Sequence, residues 1–355
     1  MSTIVETVLK IHPSNTIIHD ECEKKYFWQM LLEFWKLPKS FKHFPGPNPV
    51  SMERTNFTRI REEDFMISLK TDGIRYLLIL TTKPNSIEPI ALMIDRAFNM
   101  HEVEIWANEE FFYNGCLFDG ELVRNSNGNL EFVIFDIVLL KGQSCIEYTY
   151  RERLQIIHSH ILLVDQNTDD ETIEKLVSEE DKLYARNNEH NMQLFPKKCV
   201  TKEHIKELWN NQEKCSHRND GIILTLNSSH VHTGTSKSVF KWKPSHSIDI
   251  KCYFKEKWTF FANDNSSDNE INITKKIGKY NVNIDEESKL LKLLETKLSC
   301  VVECLINISG NTLYLSPERE RSDKKTANTL RTMEATIVNT QENISIDELF
   351  NIPVL

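Results

Sequence analysis

Residues 117–140, LFDGELVRNSNGNLEFVIFDIVLL, hold two long apolar runs on either side of RNSNGN. An Asn/Gly-rich break between apolar runs is a hairpin signal, so the segment predicts two antiparallel strands. The same grammar extends upstream: YLLILTT (76–82) and IALMIDRAF (90–98) are further strands, parted by KPNS (83–86). Farther out the period changes. In DECEKKYFWQMLLEFWKLP (20–38), Asp20 and Glu23 have capping spacing, and Phe27, Met30, Leu31 and Phe34 share a helical face. FPGPNPVSMER (44–54) is too rich in proline to be helical and is expected to be extended. Residues 151–163 and 202–210 have helical spacing, 165–190 is an acidic, polar excursion, and DGIILTL (220–226) and SVFKWKP (238–244) return to strands. Beyond Pro244 the chain is mostly β, with SIDIKCYF, KWTFFAN and LSCVVECLINI as strands and DEESKLLKLLETK as a helix. Ser345 and Glu348 frame a last capping box, and no internal repeat is visible.

Strands and helices segregated in this way define an α+β protein. A chain of 355 residues suggests two domains. The expected division is 1–245, a β-rich 246–335, and a C-terminal helix in 336–355 that packs back on the first domain. With 40% hydrophobic and 27% charged residues the composition is that of an ordinary globular protein. The net charge of −9 excludes a general polyanion coat, so any nucleic acid must meet a local cationic patch. Eight cysteines form no C-x-x-C pair and follow no signal-like segment, and no run of 18 apolar residues occurs. A soluble, intracellular, reduced protein without membrane contact, and a monomer, is expected.

Three of the ten glycines stand in one arrangement: Asp72-Gly73, Asp119-Gly120 and Asp220-Gly221, each joined to an apolar run. Asp-Gly is a favoured turn dipeptide, and three turns would account for them. Their neighbours point to chemistry instead. The first pair brings Lys70 and Arg75, the second Glu121, and the third precedes Lys241 and Lys243. Residues two apart in a strand share a face, so Lys241 and Lys243 make a paired cation site suited to phosphate. Two ammonium groups about 5 Å apart repel by roughly 3 kcal/mol at an effective dielectric near 20, enough to ready Lys70 as a nucleophile. His230 and His232 lack a third ligand, and Asp249 is a candidate support for a metal or a lysine.

KTDGIR, FDGELV, FVIFDIVLL, DGIIL, FKWKP and RSDKKTAN, in that order over residues 70–328, resemble the motifs of covalent nucleotidyltransferases. That superfamily holds the mRNA capping guanylyltransferases and the polynucleotide ligases. KTDGIR and RSDKKTAN resemble the guanylyltransferase branch, and FPGPNPVSMER and ENISIDEL are similar to its compact chlorovirus type, which suggests a viral source. The resemblance implies a nucleotidyltransferase domain of ATP-grasp-like antiparallel sheets and helices, an OB-fold domain, and a cleft that closes over GTP. It implies that Lys70 attacks the α-phosphate of GTP, and that GMP then passes to the 5′-diphosphate end of RNA. It implies ribose contacts from Arg75 and Glu121, a guanine sandwich of Phe135 and Ile223, and a guanine-reading Lys202. It further implies phosphate contacts from Arg96, Lys241 and Lys243, a role for Asp220 beside Mg²⁺ or Mn²⁺, and pyrophosphate contacts from Arg321, Asp323 and Lys324.

Ligases place a glutamate two residues ahead of their lysine, where this chain has Ser68, and the chlorovirus type has an acid where this chain has Leu69. An ATP-dependent ligase with a lysyl-AMP intermediate, and an inactive relative kept as a scaffold, are the alternatives. No H-C-x5-R loop, triphosphatase-type strand set or methyl-donor motif is present. Separate triphosphatase and cap methyltransferase partners are therefore expected.

Overall fold

The computed structural model describes residues 17–164, 168–179, 181–185, 192–264, 269–322 and 324–352. Two compact units emerge. Among the described residues one holds 17–50 and 60–241, the other 51–59 and 242–352.

In the first unit, strands Ile74–Thr82, Pro89–Asp95, Cys116–Arg124 and Leu130–Leu140 are the middle of a seven-stranded sheet. The expected hairpin is present: Glu121 faces Val133, Arg124 faces Leu130, and Gly128 takes the positive φ that its turn requires. The apolar runs are unbroken because both faces of the sheet are covered. Leu77 and Ile79 pack on one side with Phe27 and Leu31 of helix Glu21–Phe34, which Asp20 caps. Tyr76, Leu78 and Leu80 pack on the other with Leu154 and Ile157 of helix Tyr150–His160. The fully buried Arg153 of that helix is held by Asp136 (2.6 Å) and by the carbonyl of Ser229 (2.8 Å), which satisfies a charge that burial alone would penalise.

A second sheet runs in the order Pro47–Ser51, Gly234–Trp242, Asn219–Leu226, Phe65–Thr71, Val200–Thr201. Here Leu69 faces the buried Ile222 across the ladder and is itself buried. The apolar residue before Lys70 is thus core, on the opposite side of the strand from the lysine.

The Asp-Gly pairs are not all turns. Asp119-Gly120 lies inside strand Cys116–Arg124, and Asp220-Gly221 inside Asn219–Leu226. Glycine is needed at 120 because a Cβ there would stand 2.6 Å from the Phe132 ring and 2.9 Å from the Val133 carbonyl. At 73 it would stand 2.4 Å from the Leu122 carbonyl, so this glycine serves close strand approach.

The other unit is built on seven strands in the order Glu270–Asn272, Trp258–Asn263, Ser247–Phe254, Ser299–Ser309, Thr312–Glu320, Tyr280–Ile284, Lys276–Ile277, consistent with an OB-fold. Helix Leu330–Glu342 buries Met333 and Ile337 among Ile250, Phe260 and Val302 of this sheet, so its apolar face belongs to the second core. Residues 51–59 join the same unit. Arg54 donates to Glu348 (3.0 and 3.1 Å), and Asn339 donates to the Met52 carbonyl (3.3 Å). Ser345 and Glu348 form the expected capping box.

Candidate active site

In strand Phe65–Thr71 the residues alternate between faces, and Lys70 shares its face with Ser68 and Met66. Register sets Ile223 opposite Ser68, hence on that face too. Phe240 meets Phe65 on the reverse face, ring centroids 5.8 Å apart, which turns Lys241 to the Lys70 side. Three sequence-distant residues, Lys70, Ile223 and Lys241, therefore share one face of the five-stranded sheet. The Lys70 ammonium donates to Asp220 Oδ1 at 2.7 Å, and both side chains are about one-fifth exposed.

Five residues on from Lys70, Arg75 is buried in strand Ile74–Thr82 and opposite Glu121. Its Nε donates to Asp119 Oδ1 (2.8 Å), Nη2 contacts Asp119 Oδ2 (2.5 Å), and Nη1 donates to the Pro47 carbonyl (2.6 Å). Its guanidinium carbon lies 5.4 Å from the ring centroids of both Phe44 and Phe135. Burial pushes the Asp119 carboxyl above the usual range, opposed by the Arg75 charge. Glu121 accepts from the Gly73 amide (3.2 Å). The guanidinium carbon of exposed Arg96 lies 6.0 Å from the Phe44 ring centroid. Phe135 and Ile223 are both half-buried, as surfaces that receive a planar group must be.

Lys202 is not brought to this site. Its ammonium donates to the carbonyls of Ile60 (3.0 Å), Arg61 (2.7 Å) and Glu63 (2.9 Å), at the C-terminal end of helix Phe57–Glu62. A cation there satisfies carbonyls that have no partner in the helix. The residue before it, Thr201, pairs with Met66, which puts Lys202 at the end of the strand away from Lys70. The lysine that does reach the site is Lys197. Strand Gln193–Pro196 runs parallel to Leu130–Leu140 with Pro196 beside Ile134, so Lys197 follows next to Phe135. Its ammonium is buried and bonded to Thr71 Oγ1, one residue from Lys70. Burial pushes this ammonium down to about 8, and the charge of Lys70 acts in the same direction. The signal in the sequence was FPKKCVTK, with three lysines at short spacing and nothing local to separate them.

In the other unit Arg321 and Lys324 converge on one buried carboxylate, Asp249. Arg321 Nη1 lies 3.3 and 3.4 Å from its two oxygens, and Lys324 Nζ contacts Oδ2. The Asn328 amide donates to the Asp249 carbonyl (2.8 Å) and the Asp249 amide to Asn328 Oδ1 (2.7 Å), which ties Asn328 to strand Ser247–Phe254. Asp249 thus supports cations, one of the two roles its position suggested. Lys243 also belongs to this unit, and Asp323 lies outside the described residues. His230 pairs with exposed Glu147 at 2.9 Å. Among the described residues no cluster of three His, Cys, Asp or Glu could hold a metal, and no helix is long and apolar enough to cross a membrane.

A lysine on a strand, paired with a carboxylate and flanked by a buried arginine and half-exposed apolar surfaces, is the equipment of a nucleotidyltransferase. The family model for the mRNA capping enzyme, catalytic domain, matches residues 9–245, and the chain belongs to that family. The mRNA-capping enzyme subunit alpha of Schizosaccharomyces pombe is 26% identical over 338 residues, covering 86% of this chain and 79% of the relative. The mRNA-capping enzyme of Caenorhabditis elegans is 25% identical over 92% of this chain and 51% of its own length. The subunit alpha of Neurospora crassa is 29% identical over 59% and 53%. The chain thus spans about half the length of two of these three relatives. A mycobacterial DNA ligase D complexed with ATP and MES overlaps 79% of the chain at 13% identity and a TM-score of 0.39.

Proposed function

We propose that the chain is a GTP:mRNA guanylyltransferase that works through a lysyl-N-GMP intermediate. The observation that carries this is the placement of Lys70, hydrogen-bonded to Asp220 at 2.7 Å, on the face shared by Ile223 and Lys241, in a chain of the capping-enzyme family. The ammonium must shed a proton before it attacks, and the Asp220 oxygen is the acceptor in place. The Lys70 nitrogen then bonds to the α-phosphorus, the bond to the bridging oxygen breaks, and pyrophosphate leaves. In the second step the terminal oxygen of a 5′-diphosphate RNA takes the GMP and returns the lysine amine.

Lys241 offers a point charge to the α-phosphate, where charge develops in the transition state. Phe135 and Ile223 offer faces to the guanine, Lys197 a donor beside them, and Glu121 an acceptor for ribose hydroxyls. Arg75 acts through what it holds in place, since three of its N–H groups are already engaged. Arg321 and Lys324, steadied by Asp249, are the cations we assign to the departing pyrophosphate. The donor set fits Mg²⁺ or Mn²⁺ arriving with the nucleotide, because such ions take one or two carboxylates plus substrate phosphates, and Asp220 supplies one. The ion would supply charge neutralisation at the phosphates. Triphosphatase and methyltransferase activities are assigned to separate partners.

The test is incubation with α-labelled GTP or ATP and a divalent cation, then denaturation. Label from GTP that is lost in Lys70→Ala is the expected result. Label from ATP would make the chain a ligase, and no label at all would leave it a scaffold.

A further inference from the structure

We propose that Glu131 is a positioning residue for the lysyl-GMP step, acting through Ser216 and His217 to fix the Asp220 carboxylate against the Lys70 ammonium. This role rests on the guanylyltransferase reading and adds to it a joint between two sheets. The seven-stranded sheet carries Arg75, Glu121 and Phe135, and the five-stranded sheet carries Lys70, Asp220 and Ile223.

Glu131 lies in strand Leu130–Leu140 on the face of Val133, the residue that Glu121 faces. Its side chain is buried, yet three donors reach it from two loops. Asn125 of the hairpin turn donates to Oε1 (3.0 Å), Ser216 Oγ donates to Oε2 (2.6 Å), and His217 Nδ1 lies 2.9 Å from Oε2. Burial pushes this carboxyl up, but the hydrogen bonds of His217, Ser216 and Asn125 outweigh it and hold the group below its usual range. Glu131 is therefore an ionised acceptor, and His217 Nδ1 carries the proton of their bond. A backbone bond reinforces the joint, from the Ser126 amide to the Ser216 carbonyl (2.8 Å).

From there the chain runs directly to the reacting lysine. The Arg218 carbonyl accepts from the Asp72 amide (3.0 Å), Asn219 pairs with Thr71, and Asp220 meets Lys70. The Gly73 amide donates to Glu121, so the segment of residues 70–73 is held from both sheets. The ladder alone does not aim Asp220. Asn219 pairs with Thr71 and Ile222 with Leu69, so this strand advances three residues where its partner advances two. Such a bulge leaves one residue unpaired and re-aims a side chain. With Asp220 inside the bulge, its direction depends on what anchors the strand just upstream, and that anchor is the loop Glu131 holds. Bonds that only stabilised the fold would move the unfolding midpoint. Bonds that aim Asp220 move the rate of attack in molecules already folded and loaded with GTP.

The test is single-turnover GMP labelling of the whole chain over a range of GTP. In His217→Ala the rate at saturating GTP should fall roughly 10-fold, with KM for GTP within about 2-fold of wild type. Ser216→Ala/His217→Ala should deepen the loss toward about 100-fold, the scale of a misaimed reacting group. His217→Asn, whose Nδ2 takes the place of Nδ1, should restore the rate to within about 2-fold of wild type. Hydrogen exchange gives a readout independent of activity. In the double variant the Asp72 amide should exchange about 10-fold faster, while strand Ile74–Thr82 keeps its protection. An unchanged rate at saturating GTP overturns the proposal, as does a raised KM with the rate intact. So does a failure of His217→Asn to restore the rate, or a gain of exchange spread evenly over the unit. If the wild type takes no label from GTP, the guanylyltransferase reading fails, while exchange at Asp72 still decides whether Glu131 holds the Lys70 segment.

Discussion

At Lys197 a buried ammonium sits beside Thr71 with its proton affinity pushed down to about 8. In the unfolded chain a lysine titrates near 10.4, so between about pH 8 and about pH 10.4 the unfolded state binds the extra proton. The sign follows: stability should rise with pH across that window and be lowest below it. Lys197→Met should flatten this rise and raise stability at pH 7 by up to ~3 kcal/mol, read by urea unfolding at several pH values. If Lys197 meets the guanine, the same variant should also raise the KM for GTP in the labelling reaction. Neither Lys197 nor the Asp119 partner of Arg75 was foreseen from the sequence. The aspartate was visible as an acid within an apolar run, yet its partner lies 44 residues away and only the strand register joins them. Lys70, Glu121 and Lys241 were legible because each stands at a fixed offset from an Asp-Gly pair or a proline.

Among the elements, the hairpin of residues 117–140 carries the strongest constraint. Gly120 faces the Phe132 ring and the Val133 carbonyl of its own partner strand, and neither can retreat without opening the ladder. Gly120→Ala should destabilise the first unit by about 1–3 kcal/mol, seen as a lower urea midpoint with little change in slope. Arg75 and Glu121 straddle this joint, so GMP labelling should fall in the same variant. The long strands and the helices at 21–34 and 150–160 were legible because their apolar periods are long and uninterrupted. Strand Gln193–Pro196 was not. Four residues ending in proline show no period, and a parallel partner more than sixty positions back leaves no local mark. With that strand unread, the sequence offered Lys202 and passed over Lys197, which the parallel pairing sets beside Phe135.

On the scale of the whole molecule, each unit has its own core, and in the second Asp249 is the buried carboxylate on which Arg321 and Lys324 converge. Replacing it by asparagine keeps the shape and removes the charge that Arg321 and Lys324 share. Asp249→Asn should cost this unit about 1–3 kcal/mol, less than a fully buried pair because both cations keep some contact with water. Circular dichroism in urea should report the loss, and under the proposed function labelling of Lys70 should slow while GTP affinity changes little. The sequence announced a second, β-rich unit, but not that residues 51–59 and the C-terminal helices belong to it, since Arg54 and Glu348 are almost 300 residues apart. The parallel strand at 193–196 has a kinetic meaning as well. Its pairing closes a loop of over sixty residues, a contact that a folding chain makes late because the entropy must be spent before the ladder repays it. On refolding, the hairpins can form while Lys197 is still absent from Thr71, so under the proposed function competence to bind nucleotide should trail the appearance of secondary structure.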